Sequence, residues 1–151
     1  MPDQLHMIQV AFHFNVADRL EYACRLLRKG LRQGANLVAT GPADALMRLD
    51  QALWTLWPTE FIAHCGPGAD SSLLAASPVI LTPSLAALPH SDILLNIGPA
   101  VPDGYERFHR LIEIVGRDEV DRRAARVRWK HYSDRGCLIK RHDQGNPGVE
   151  N

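Results

Sequence analysis

The sequence predicts an α/β fold with a mostly parallel sheet covered by helices, and three observations carry that prediction. The first half alternates short apolar runs with amphipathic helical patterns in the order β-α-β-α, which implies parallel strands joined by crossover helices. Hydrophobic residues make up 46% and charged residues 23%, the usage of a folded globular chain, which excludes disorder. At 151 residues such a chain buries roughly two-thirds or more of its unfolded surface, so no disulfide framework is needed. This length suits a single domain, assigned to residues 1–142, followed by a frayed tail at 143–151 that contains Gly, Asn and Pro.

The elements follow in order. Residues 4–14 alternate with Ile8, Val10, Phe12 and Phe14 on one parity, which reads as a strand with one buried face. Asp18 with Glu21 three residues on resembles a capping box that opens a helix. Leu20, Ala23, Cys24, Leu27 and Leu31 give that helix its apolar stripe, and Gly34 ends it. Arg25, Arg28, Lys29 and Arg32 lie off the stripe, in solvent. Residues 35–40 form a short strand. Pro42 suits the first position of the next helix, whose stripe is Ala45, Leu46, Leu49 and Leu53. Strands are expected at 61–64 and 78–82, around an exposed, mobile loop at 65–77 rich in Gly, Ser and Ala. Residues 92–97 are expected to be a central strand. Asp103 and Gly104 then lead into a helix with Tyr105, Phe108, Leu111, Ile112 and Val115 on its buried face, interrupted at Gly116. A last helix is expected from 118 to 135, stopped by Gly136, with Val120, Ala124, Val127 and His131 packed on the sheet. Residues 137–142 make an edge strand.

No apolar run reaches the ~20 residues of a membrane span, and no signal peptide is expected, since the opening residues show no basic stretch followed by an apolar one. With three widely spaced cysteines, Cys24, Cys65 and Cys137, the expectation is a reducing cytoplasm. No metal and no cofactor are expected. His64-Cys65 is one adjacent pair, short of the four ligands of a structural zinc site. The first βα connection at 14–18 holds no glycine, so the dinucleotide fingerprint is missing where a Rossmann-like topology would need it. There is no nucleophile elbow and no defensible carboxylate pair. The chain therefore reads as a binding protein without catalytic residues.

Charge is balanced overall, 17 basic against 17 acidic residues, but not evenly spread. Residues 107–141 hold eleven Lys and Arg and five acids, a surplus of six positive charges that suits an anionic partner. On the last helix Arg122, Arg126, Trp129 and Lys130 fall at i, i+4, i+7 and i+8, within about a quarter turn. A solvated face, an acidic peptide gripped by guanidinium forks, or a phosphate backbone stacked on Trp129 all suit this pattern. Trp54 and Trp57, with Phe61 close behind, are either core packing or an apolar patch for another subunit.

Six segments taken together resemble the chi subunit of bacterial DNA polymerase III holoenzyme: YACRLLRK at 22–29, RLDQALW at 48–54, FIAH at 61–64, DILLNI at 92–97, RFHRLIEIV at 107–115 and ARVRWKHYSDRG at 125–136. Their order and separations match that family along nearly the whole chain. The resemblance implies an α/β fold shaped like mononucleotide-binding proteins but without nucleotide chemistry. It also implies a non-catalytic accessory subunit of the clamp loader. One side would join the psi subunit, and the other would grip the acidic, Phe-ended C-terminal tail of single-stranded DNA-binding protein. Carried over, the tail pocket would use Val115, Arg122, Arg126, Trp129, Lys130, Gly136 and Leu138. The psi-facing surface would use Trp54, Trp57 and Phe61. Trp129 stands where the family's tyrosine is expected, Arg122 where a lysine occurs, and Ala63 where a proline precedes the histidine. The alternative to the adaptor reading is a module that binds single-stranded nucleic acid directly through the basic helix face.

Overall fold

In chain order the elements are β1 (Gln9–Val16), α1 (Arg19–Arg32), β2 (Leu37–Thr40), α2 (Ala43–Thr55), β3 (His64–Cys65), β4 (Val79–Leu81), β5 (Ile93–Asn96), β6 (Arg110–Gly116), α3 (Glu119–Asp134) and β7 (Leu138–Asp143). They come from a computed structural model that describes residues 7–57, 64–65 and 77–145. The strands form one sheet in the order β3-β4-β2-β5-β6-β1-β7, and every pairing is parallel. The α/β fold is thus the one the sequence implies, with β5 at the centre of the sheet.

The helix ends follow their local chemistry. Asp18 caps α1, accepting the N–H of Glu21 at 3.1 Å, and Asp118 caps α3, accepting the N–H of Asp121 at 2.7 Å. Both helices are followed by a glycine in the left-handed region, Gly34 at φ 79° and Gly136 at φ 77°. Pro42 sits one residue ahead of the expected position, just outside α2.

Strand alternation sorts the apolar side chains into two cores. Ala23, Cys24 and Leu27 of α1 and Leu46, Leu49 and Leu53 of α2 pack with Leu37, Ala39, Leu95, Ile112 and Ile114 on one face. On the other face Ala125 and Tyr132 of α3 meet Val10, Phe12, Val38, Leu94, Leu111 and Val115. β1 contributes to both. Its even residues face α3 until Asn15 takes φ 62° and the register with β6 shifts between His13 and Val16. That bulge turns Val16 into the opposite core.

Several expectations are corrected. Residues 105–115 are not a helix: a 3-10 turn at Tyr105–Arg107 leads into strand β6. The i, i+3 spacing of Tyr105 and Phe108 mimics a helical face. Leu111 to Val115, however, is a continuous run buried on both faces, the pattern of an interior parallel strand. Val120 and Val127 do not pack on the sheet; they are 78% and 68% exposed. The sheet-facing stripe of α3 is Ala125, Arg128 and Tyr132, rotated away from the apolar choice because a buried arginine belongs to it. β1 begins at Gln9 rather than residue 4, and residues 1–6 lie outside the described residues. Of the expected mobile loop, Cys65 is a buried strand residue and Ser77 is buried too; 66–76 lie outside the described residues, as do 58–63. Asp143, assigned to the tail, is the last residue of β7, and the N–H of Gln144 donates to Phe14 O at 2.8 Å.

Candidate functional site

A cleft of about 410 Å³ opens between α3 and the carboxyl ends of β1, β6 and β7. Its floor is apolar: Phe12 and Phe14 from β1, Val115 from β6, and Ala125 and Trp129 from α3. Three arginines surround that floor, Arg122 and Arg126 from the helix and Arg141 from the edge strand. Among the described residues no carboxylate lines it. Open α/β sheets present ligands to this end of the strands, and an apolar hollow with a few convergent polar groups is the general form of a binding pocket.

Trp129 is half-buried. Its ring packs on Phe12 at 4.9 Å between centroids and a 47° tilt, leaving the rest of the indole toward the cleft. Arg141 lies over the Phe14 ring, its guanidinium carbon 5.1 Å from the centroid, so its stem covers apolar surface while its head stays wet. Arg126 makes one loose contact, Nη1 to Glu119 Oε2 at 3.4 Å, a solvent-exposed pair of small energetic weight. Among the described residues neither Arg122 nor Arg141 has a carboxylate partner. The acids nearby are occupied elsewhere: Asp121 accepts the N–H of Gly116, and Asp143 accepts from Asn15 Nδ2 at 2.8 Å.

Behind the cleft a polar pin fastens α3 to the sheet. Arg128 and Glu113 are 1% and 0% exposed at the side chain, with Nε donating to Oε1 at 2.8 Å. Glu113 also accepts from Tyr132 Oη at 2.5 Å and Asn96 Nδ2 at 3.0 Å, and Arg128 Nη1 donates to Pro99 O at 2.9 Å. Burial pushes the Glu113 carboxyl up, while the Arg128 guanidinium and the hydrogen bonds from Tyr132 and Asn96 oppose that shift. All three partners donate, so the group they hold is the carboxylate. Burial, and then the charge of Glu113, push the Tyr132 phenol far up, so it keeps its proton and donates it.

Of the seven residues expected at the tail pocket, the fold brings Val115, Arg122, Arg126 and Trp129 together. Lys130 is exposed and pairs with Asp134 at 3.1 Å. Gly136 sits in the turn after α3 and does not line the cleft. Leu138, 44% exposed, alternates with Ile139 and Arg141 and so projects from the other side of β7. Phe12, Phe14 and Arg141 were missed. Their nearness to α3 depends on β7 pairing with β1 across the β6–β7 crossover, a long-range match with no local signature; the β1 apolar parity alone pointed at the phenylalanines.

At the other expected surface, Trp54 is 52% exposed with its ring 5.0 Å from that of His64. Trp57 is partly buried, under the guanidinium of Arg28 at 4.5 Å. His64 Nε2 lies 2.7 Å from Asp50 Oδ1. Phe61 lies outside the described residues. Among those described, no group of three or more His, Cys, Asp or Glu could hold a metal ion, and no helix is long and apolar enough to cross a membrane.

Residues 7–140 match the family model of the DNA polymerase III chi subunit, HolC. The DNA polymerase III subunit chi of Pseudomonas aeruginosa is 33% identical over 126 residues, covering 82% of this chain and 85% of the relative. The Haemophilus influenzae subunit of the same name is 25% identical over 127 residues, covering 83% and 87%.

Proposed function

Because the chain belongs to the DNA polymerase III chi-subunit family, we propose that it is a non-catalytic, cytoplasmic accessory subunit of the clamp loader. The psi subunit would join it to the loader. Its cleft would grip the acidic, Phe-ended C-terminal tail of single-stranded DNA-binding protein. The observation that carries this reading is the cleft itself, an apolar floor under three arginines with no carboxylate among the described residues of its lining. A terminal phenyl ring fits the floor of Phe12, Phe14, Val115 and Trp129. Its α-carboxylate and the acidic residues before it fit the guanidiniums, which can each offer two parallel N–H groups. Burying one aromatic ring contributes roughly 1.5–3 kcal/mol, and each charge-assisted hydrogen bond about 1.5–3. Set against association costs, this places the affinity near the micromolar range. Phe12 and Phe14 line this floor, whereas Leu138, expected in the tail pocket, does not.

The exposed Trp54 near the end of α2, with Trp57 beside it, is the surface for psi in this reading. Calorimetric titration with a short acidic peptide ending in Phe tests the cleft. Binding should weaken with salt and fall sharply in Arg126→Ala and Trp129→Ala. Affinity unchanged in both variants, or equal affinity for a peptide lacking the terminal Phe, ends this assignment of the site.

A further inference from the structure

We propose that the groove between α1 and the uncovered side of β1 and β7 binds single-stranded nucleic acid, with Tyr22, His13 and His142 stacking bases and Lys29, Arg110 and Lys140 holding phosphates. This groove lies on the opposite face of the sheet from the cleft and uses none of its residues. Strand register builds its floor. Arg110, Gln9 and Leu138 stand in one row, Ala11 and Lys140 in the next, and His13 and His142 in the third. α1 packs with Ile112 and Ile114 of β6, leaving β7 on this face open, so that Leu138, Lys140, Gln9 and Arg110 are exposed. Tyr22 and Lys29, seven residues apart, share the flank of α1 that borders the floor, and Tyr22 Oη is hydrogen-bonded to His13 Nδ1.

The three rings form a continuous surface. His13 and His142 are 4.7 Å apart between centroids, and Tyr22 meets His13 edge-on at 5.5 Å. Partly buried rings on an open sheet, bordered by cations, are the elements of a single-strand platform, because every base has a face to stack. Charge selects the partner. Among the described residues Lys29, Arg110 and Lys140 have no carboxylate partner. Glu21, the acid on α1, is paired with Arg25 at 3.0 Å, and Asp143 points to the other face. A hollow of about 240 Å³ lined by Arg25 and Arg32 continues the groove past Lys29. The field is visible at His13, whose pKa is lowered to about 4 by burial and then by His142, Arg110 and Lys29. At neutral pH that ring is uncharged and suited to stacking. An acidic protein segment would use the cations but leave the three clustered rings without a partner.

The test is fluorescence anisotropy of a labelled oligo-dT of about 20 nucleotides with the full-length protein at low salt. Three phosphate contacts on a single strand predict a slope of log K on log salt near −2. Lys29→Glu with Lys140→Glu should weaken binding at least tenfold with an unchanged thermal midpoint, since these two side chains stand at the surface, and His142→Ala should weaken it about tenfold. Arg126→Ala should change it less than twofold. The inference is overturned by three results: no saturable binding at 50 mM salt or so, loss of binding in Arg126→Ala but not in the lysine variant, or displacement of the oligonucleotide by oligo-glutamate at equal charge concentration.

Discussion

Arg126 and Arg128 stand two residues apart on α3 and show how one side-chain type is put to two uses by a 200° turn of the helix. Arg126 projects into solvent at the cleft, with one loose acidic neighbour. Arg128 points the other way and is sealed against Glu113, its Nε donating to Oε1 at 2.8 Å. An exposed guanidinium is available to a ligand and adds little to folding. A buried one is committed, because removing either partner strands the other charge in a medium that cannot solvate it. The binding face and the fastening face of α3 are therefore separable, and mutations can show it.

The largest effect is expected from Arg128→Ala, which should cost about 3–5 kcal/mol in urea unfolding. Replacing both partners, Glu113→Leu with Arg128→Met, should restore part of that loss, because no charge is stranded although the Tyr132 hydroxyl and the Asn96 amide lose an acceptor. If the double variant is no more stable than the single ones, the ionic pair is not what fastens the helix. Trp129→Ala falls between the two faces. Peptide affinity should drop by more than an order of magnitude, and the lost contact with Phe12 should cost about 1–2 kcal/mol. Arg126→Ala should lower peptide affinity roughly tenfold while stability stays within about 0.5 kcal/mol. A stability loss as large as that of Arg128→Ala would erase the distinction. A further effect is one of pH. Unfolded His13 takes up its proton near 6.5 and folded His13 near 4, so between these values the unfolded chain binds more protons. Stability is complete above 6.5, falls as pH drops through that window and levels off below it. His13→Gln should flatten the slope.

Much of this was legible in the residue order, and the exceptions share a cause. Asp18, Asp118, Gly34 and Gly136 mark helix ends by local hydrogen bonding and backbone freedom, so α1 and α3 could be located closely. β6 was misread because a strand buried on both faces has no period of two; only its neighbours on either side, β5 and β1, make it a strand. Arg128 was assigned to no face because composition treats arginine as a surface residue, and nothing nearby in sequence announces Glu113 fifteen residues earlier. At the cleft, the helical half was readable from the spacing of Arg122, Arg126 and Trp129. The strand half, Phe12, Phe14 and Arg141, comes from segments more than a hundred residues apart.

Asn15 connects these regions. Its left-handed backbone lets β1 give Phe14 to the cleft and Val16 to the far core. Its amide holds Asp143, and its carbonyl takes the Arg117 guanidinium at 3.1 Å. A β-branched residue there would resist that backbone. The damage would propagate in two directions at once, loosening the mouth of the peptide site and unseating a valine beneath α1. A substitution confined to one position would thus be read by an assay as two unrelated defects.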